Sequence, residues 1–457
     1  MKTGRAVYES RENISAFLGL KNSERLLFTP GCTHSLNMVL KGFLADRLKD
    51  LSSDRRVIML SSLEHNSIMR PLRQLERLLE FRCEQIPYQP GRFCHPEDVR
   101  ESIRRWQPAL LILTEGSNVT GEIADTKEIA DVCREHRVPL LIDAAQTAGR
   151  FENCLAHDGV TFWCASAHKG LMALSGLGLL YVHPELDLEP LVTGGTGSAS
   201  EQFDMPSAYP DHLESGTLPA FLVATLARAI DWLRGETPKK IQEHEALLAE
   251  HFLSWCRTRE RVETFGFNMN PTAATQQANP GTVEGPAAFT QEWSGGSAAH
   301  GGFPAPASAL ERKRDADYRR ERRELAITAF DKKRESDICR DRREGGSAQE
   351  SRLEGERFEG SSDPTRAAVR GEWPLFANRL PIVSFRIAGI TADVVADYLD
   401  RQADVAVRPG LHCAALAHRT LGTEDTGLVR VSFGYFNTLE EVALCCKKLD
   451  ELLDGAS

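Results

Sequence analysis

Between residue 26 and about 183, short apolar runs alternate with segments of helical period. "LLF", "VIMLSS", "ALLILT", "PLLID", "GVTFWCAS" and "GLLYVH" read as strands buried on both faces. Strands separated in this way by helices predict a largely parallel sheet with helices on both faces. In "SLNMVLKGFL" the residues Leu36, Val39, Leu40, Phe43 and Leu44 share one helical face. "DTKEIADVCREH" opens with Asp125 and Glu128 at capping-box spacing, which marks a helix start.

A second pattern follows "PAFLVATLARAIDWL". The segment "KKIQEHEALLAEHFLSWCRTR" predicts a long helix, and "LPIVSFRIAGI", "TADVVADYLDRQ", "GLVRVSFGYFN" and "LEEVALCCKKLDELL" predict an α+β unit at the C-terminal end. The expected division is a large domain over 1–235 and a small domain built from 236–267 and 375–457. Residues 268–374 stand apart as an insertion. Its first part is rich in Gly, Ala, Pro and Thr, and residues 311–344 carry 13 basic and 10 acidic side chains. That composition buries too little apolar surface to offset ordering entropy, so a disordered, charged insertion is expected, with a partner-binding segment as the alternative.

Composition narrows the function classes. The 457 residues carry a formal net charge of −10, which argues against a nucleic-acid surface, and 41% hydrophobic residues suffice for a buried core. Eleven cysteines without a C-x-x-C pair, and a first stretch "MKTGRAVYESRENISAFLGL" without a signal-like apolar core, predict free thiols in a reducing, cytoplasmic compartment. Apolar runs stay short of the roughly 18 to 20 residues a membrane helix needs, so no membrane span is expected.

The candidate chemistry lies at strand ends. Asp143 closes "PLLID" and Gln146 follows three residues on, where the C-terminal edge of a parallel sheet faces its ligand crevice. A carboxylate there needs a cation or strong donors, and a protonated pyridine nitrogen is one such partner; capping the next helix is the other reading. In "FTPGCTHSLN" the backbone N–H groups of Cys32 and Thr33 and the Thr33 hydroxyl stand at a helix start suited to phosphate, or to a plain N-cap. His65 in "SSLEHNSIMRP" and Asn118 in "TEGSNVTGEI" occupy the same position relative to their own strands, which suggests one shared pocket. In "SAHKGLMALSGLG", Lys169 follows another apolar strand, with Ser166 and His168 in reach of a phosphate; these are the parts of a pyridoxal phosphate Schiff-base site.

Two later stretches add to it. "AVRPGLHCAALAHRTLG" places Cys413 beside His412 and near Arg408, where cationic neighbours favour a nucleophilic thiolate; a buried small hydrophobe is the bland alternative. A metal site from His412, Cys413 and His418 is not expected, because no further Cys/His pair completes four ligands. In "GLVRVSFGYFNTLEE", alternation puts Arg430 on one face with Leu428 and Ser432, placed to clamp a substrate carboxylate.

"SLEHNSIMRPL", "SNVTG", "DAAQTAG", "SAHKG", "ESGT" and "RPGLHCAALAHRTLG" with "GLVRVSFGYFNTLEEV" together resemble the cysteine desulfurases of the pyridoxal phosphate dependent class V aminotransferase fold. The resemblance runs over about 4–267 and 375–452. It implies a type I pyridoxal phosphate transferase fold, α/β, with a mostly parallel seven-stranded-type sheet and a small α+β C-terminal domain. It implies that Lys169 carries pyridoxal 5′-phosphate and moves the substrate's α-proton, that His65 stacks on the ring, and that Asp143 and Gln146 bond its nitrogen and phenolic oxygen. Cys32, Thr33, Ser166 and His168 would cup the phosphate, and Thr217 of "ESGT" would reach the phosphate of a neighbouring subunit, implying a homodimer. Asn118, Arg408 and Arg430 match substrate-side positions, and Cys413 matches the nucleophile that takes sulfur from L-cysteine as a persulfide, leaving L-alanine, before passing it to a sulfur-acceptor protein.

The sequence departs from the family in places. Family members carry some tens of residues ahead of "TGRAVYESRENISAFLG", so a chain truncated at this end is expected. "GLMALSGLG" lacks a Gly-Pro pair before its Gly-x-Gly, and "ESGTLPA" lacks Pro-Asn after the threonine. The alternatives to a desulfurase are a selenocysteine or cysteine-sulfinate lyase, another enzyme of the class V fold, or a catalytically silent scaffold.

Overall fold

The computed structural model describes residues 2–152, 154–267, 376 and 378–455. The insertion expected at 268–374 lies outside the described residues.

Seven strands form the large sheet: β1 (Leu26–Thr29), β2 (Val57–Leu60), β3 (Arg82–Gln85), β4 (Leu110–Thr114), β5 (Leu140–Asp143), β6 (Phe162–Ser166) and β7 (Gly178–Val182). Their order is β1-β7-β6-β5-β4-β2-β3. From β6 to β3 the neighbours run parallel, while β7 is antiparallel to both β6 and β1. Six strands coincide with the apolar runs. The seventh, β3, has no apolar signature: its side chains Arg82, Cys83, Glu84 and Gln85 are half-buried, as suits an edge.

Both faces of the central strands are dry, which is why their sequences run apolar without alternation. Met59, Leu111, Leu113, Leu140, Ile142, Trp163 and Ala165 enter one core, and Ile58, Leu60, Leu110, Ile112, Leu141, Phe162 and Cys164 enter the other. The covering helices are α1 (Lys2–Leu18), α2 (Cys32–Arg47), α3 (Asn66–Glu76), α4 (Pro96–Trp106), α5 (Thr126–His136) and α6 (Ala220–Glu236). The predicted face of α2 is buried as expected, and Met38 and Gly42 are buried as well, so the helix is enclosed more widely than one stripe. Asp125 caps α5 by accepting the Glu128 N–H at 3.1 Å.

Helix α1 packs along α6, with Ile14, Phe17 and Leu18 in the same core as Val223, Leu226 and Ile230. Arg11 of α1 forms a buried bidentate pair with Glu214 of "ESGT" at 2.8 and 2.7 Å, and Glu214 also accepts the Phe28 N–H of β1 at 2.6 Å. The glutamate of that motif thus ties α1 to the sheet.

After α7 (Pro238–Arg257), four antiparallel strands make the second sheet: β8 (Val262–Phe265), β9 (Ile382–Ile387), β10 (Arg408–Gly410) and β11 (Leu428–Ser432), in the order β10-β11-β9-β8. Helices α8 (Ala392–Ala403), α9 (Ala415–Thr420) and α10 (Leu439–Gly455) complete this unit. Its core joins Phe252, Val383, Phe385, Val429, Val431 and Leu449. On β11 the alternation matters: Val429 and Val431 face that core, while Leu428 joins the core of the large sheet. Arg430 therefore shares the face turned toward the large sheet.

Candidate active site

Strands β4, β5 and β6 are parallel, so their last residues, Thr114, Asp143 and Ser166, arrive at one sheet edge. Thr114 and Asp143 are register partners. The loops that leave this edge and the start of α2 enclose a small cavity of about 60 Å3 lined by Cys32, Thr33, His65, Asn118, Asp143, Gln146, Ser166 and Lys169. Eight of the thirteen expected site residues therefore meet in one cavity. His168 and Thr217 are exposed outside its lining, and Arg408, Cys413 and Arg430 come from the small sheet.

Each side chain has a local reason for its place. Gly149, at φ 90°, and Gly170 pack backbone to backbone, leaving no room for a Cβ, and this holds the Gln146 and Lys169 loops together. Asp143 is 5% exposed; its Oδ1 accepts the Ala145 N–H at 3.0 Å and lies 3.5 Å from Cys32 Sγ. Burial and that carboxylate push the Cys32 thiol well above its ordinary value. Helix α2 has Gly31 as its N-cap with no side-chain cap, so by helix geometry the N–H groups of Cys32 and Thr33 lack an intrahelical acceptor and point to where an anion is favoured. His65 serves two purposes: its Nδ1 caps α3 by accepting the Ser67 N–H at 3.1 Å, while the residue also lines the cavity. Burial lowers its pKa, against the pull of Asp143, which favours a neutral ring.

The small sheet delivers a second group. In "RPGLHCA", His412 and Cys413 both take left-handed φ values, 51° and 58°. Hydrogen bonds hold this unusual pair: His412 Nε2 lies 3.0 Å from the Arg408 carbonyl, Asn118 Nδ2 donates to the His412 carbonyl at 2.8 Å, and the Asn66 N–H donates to the Cys413 carbonyl at 2.8 Å. Cys413 is exposed, and an Arg408 guanidinium nitrogen stands 2.9 Å from its Sγ. Arg430, the register partner of Arg408, donates to the Asn118 carbonyl at 3.0 Å, and its Nε is buried with no partner among the described residues. Burial first, and Arg408 second, lower the Arg430 pKa to about 10. A buried guanidinium nitrogen without a partner is an exception to the rule that buried polar groups are hydrogen-bonded.

Sequence reasoning missed Glu64, Ser67 and Thr114. Ser67 and Thr114 line the cavity, and Glu64 lies fully buried beside Thr114. Glu64 stands directly before His65, where an acidic residue ahead of a helix reads as an ordinary cap. Its burial is the work of tertiary packing, which no local pattern reveals. Among the described residues, no group of three or more His, Cys, Asp or Glu is arranged to hold a metal ion, and no helix is long and apolar enough to cross a membrane. The ten described cysteines are free thiols.

A family model described as aminotransferase class V matches residues 1–284 and 375–444. The chain belongs to the class V aminotransferase family. Among its curated relatives is a cysteine desulfurase, IscS, of Dictyoglomus turgidum, 30% identical over 195 residues, which are 43% of this chain and 48% of that protein. A probable cysteine desulfurase of Methanothermobacter thermautotrophicus is 23% identical over 462 residues, 99% of this chain and 85% of the relative. The chain thus aligns with about half of the first relative and most of the second. Two solved structures share the fold, each with a TM-score of 0.68 over 99% of this chain and 85% of the other: an apo cysteine desulfurase from Thermococcus onnurineus at 20% identity, and the cysteine desulfurase CsdA in an S-sulfonic acid form from Escherichia coli at 18%.

Proposed function

We propose that this chain is a pyridoxal 5′-phosphate dependent cysteine desulfurase that converts L-cysteine to L-alanine and receives the sulfur on Cys413 as a persulfide. The observation that carries the reading is the pairing of an exposed thiol, under an arginine 2.9 Å away, with a lysine-containing cavity to which its loop is tied through Asn66 and Asn118. A class V transaminase has no use for that thiol.

The donor set suits the cofactor. Lys169 would hold it covalently, Asp143 would meet a ring nitrogen, His65 would cover a ring face, and Gln146 would reach a ring oxygen. Ser166, Thr33 and the free N–H groups of Cys32 and Thr33 would bind a phosphate, with His168 beside them. Bound there, the cofactor supplies the electron sink that makes loss of the substrate's α-proton accessible. The chain's own residues do the rest. Arg430 binds the substrate carboxylate, Asn118 fixes Arg430 and the Cys413 loop together, and Lys169 Nζ accepts the α-proton. Arg408, 2.9 Å from the Cys413 sulfur, orients it for attack on the substrate sulfur. One C–S bond breaks and one S–S bond forms, the carbon takes up a proton, and no outside oxidant is needed: cysteine and a thiol become alanine and a persulfide.

Within this reading residues 1–235 form the cofactor domain, 236–267 and 375–457 the small domain, and the functional unit is a homodimer in which exposed Thr217 reaches the neighbour's phosphate. A sulfur-acceptor protein would take the persulfide sulfur. Mass spectrometry of the Cys413 peptide after incubation with L-cysteine tests the proposal. One added sulfur atom on Cys413, absent from a Lys169→Ala control, is the expected result; an unmodified Cys413 alongside free alanine would refute the persulfide route.

A further inference from the structure

Glu64 lies beneath the cavity with no solvent exposure, in the turn between β2 and α3. Three donors enclose it: Ser61 Oγ at 2.6 Å and the Thr114 N–H at 2.9 Å on Oε1, and Thr114 Oγ1 at 2.6 Å on Oε2. Burial raises its pKa to about 7 despite the hydrogen bonds, and Asp143 adds repulsion. Thr114 is the link to the site, because it lines the cavity and is the register partner of Asp143.

We infer that Glu64 is a positioning residue for the cofactor site, acting through the Thr114 hydroxyl on the Asp143 end of the cavity. The coupling follows from hydrogen-bond arithmetic. An ionised carboxylate accepts only, so Thr114 must turn its hydroxyl hydrogen toward Glu64. A protonated Glu64 can instead donate to Thr114 Oγ1, which frees the hydroxyl hydrogen to turn into the cavity. One buried proton thereby selects whether the wall beside Asp143 presents a donor or an acceptor, and whether a second negative charge stands near Asp143. Titratable groups around Glu64 include Asp143 on β5, the adjoining His65, and Cys94 ahead of α4, whose thiol is pushed far up by burial and by Glu64 itself. Glu115, the next residue after Thr114, is a further buried carboxyl raised by burial; it bonds Thr126 and Thr147 and is common to every variant below.

This inference rests on the cofactor reading, and its test separates the two. Purified protein loaded with pyridoxal 5′-phosphate is titrated from pH 5 to 9 while the lysine-bound cofactor's absorbance is followed, in wild type, Glu64→Gln, Thr114→Val and Thr114→Ser. Glutamine imitates the protonated acid, and valine removes the donor that supports ionised Glu64, so both variants should lower the absorbance midpoint by at least about half a pH unit, roughly threefold in proton affinity. Serine keeps the hydroxyl and should keep the wild-type midpoint. The cofactor-free protein gives an independent readout. The folded pKa of Glu64 lies above its unfolded value of 4.5, so its contribution to stability is present below pH 4.5 and is lost as pH rises through about 7. The unfolding temperature of wild type should therefore fall relative to Glu64→Gln between pH 5 and 8. Unchanged midpoints in a normally absorbing enzyme would overturn the inference alone, and wild type without any lysine-bound absorbance would overturn the cofactor reading and the inference with it.

Discussion

The two sides of the cavity are built in different ways. On the large-sheet side, Asp143 and Ser166 close neighbouring parallel strands, His65 caps a helix, and Gly149 locks the Lys169 loop, so the backbone of the fold itself sets their positions. On the small-sheet side, Cys413 sits exposed on a left-handed turn, held by single hydrogen bonds from Asn66 and Asn118 and by the His412 ring. The first side is a frame set by the backbone of the fold, and the second is a short arm whose reach depends on a handful of polar contacts. Variants on the two sides should therefore fail differently.

Lys169→Ala strikes the first side hardest. It should remove the lysine-bound cofactor absorbance and lower turnover by about 10³-fold, the scale of a positioned acid–base group; an unchanged spectrum would put the Schiff base elsewhere. Cys413→Ser separates the sides most cleanly. Its cofactor spectrum should match wild type while persulfide formation disappears, and undiminished persulfide would remove Cys413 from the mechanism.

The arm also has a pH signature. His412 is 2% exposed, and burial, with help from Arg430, His418 and Arg408, lowers its pKa to about 4. A depressed folded pKa means the contribution is present above the unfolded value of 6.5 and is lost as pH falls through about 4. The loss amounts to up to about 3 kcal/mol of stability. Urea unfolding at pH 7 and pH 4.5 should show a smaller acid loss in His412→Gln than in wild type; equal losses would mean that His412 titrates normally. The smallest effect belongs to Asn118→Ala, which deletes the 2.8 Å bond to the His412 carbonyl. It should cost roughly 1 kcal/mol, about fivefold in kcat/KM, with the cofactor absorbance unmoved. A shifted spectrum would show that Asn118 belongs to the frame.

What the sequence disclosed follows the same division. Strands β2, β4, β5 and β6 are legible because burial on both faces writes continuous apolar runs, and Asp143 and Lys169 are legible because polar residues at the ends of such runs stand out. Edge strand β3 left no trace, since Arg82 and Glu84 suit a half-wet edge as well as a loop. Glu64 and Thr114 were invisible for a different reason: their hydrogen bonds join residues 50 positions apart, and only the parallel pairing of β2 with β4 creates them. On the arm, Arg408, Cys413 and Arg430 could be named from their motifs, but the left-handed turn and its anchor Asn66 arise from packing across the two sheets.

The central claim is that frame and arm together turn over cysteine. Alanine release from L-cysteine by the purified, cofactor-supplemented protein, with Lys169→Ala as the blank, tests it most directly. Alanine above the blank is the predicted result; none, from a protein with the cofactor bound, would contradict the assignment.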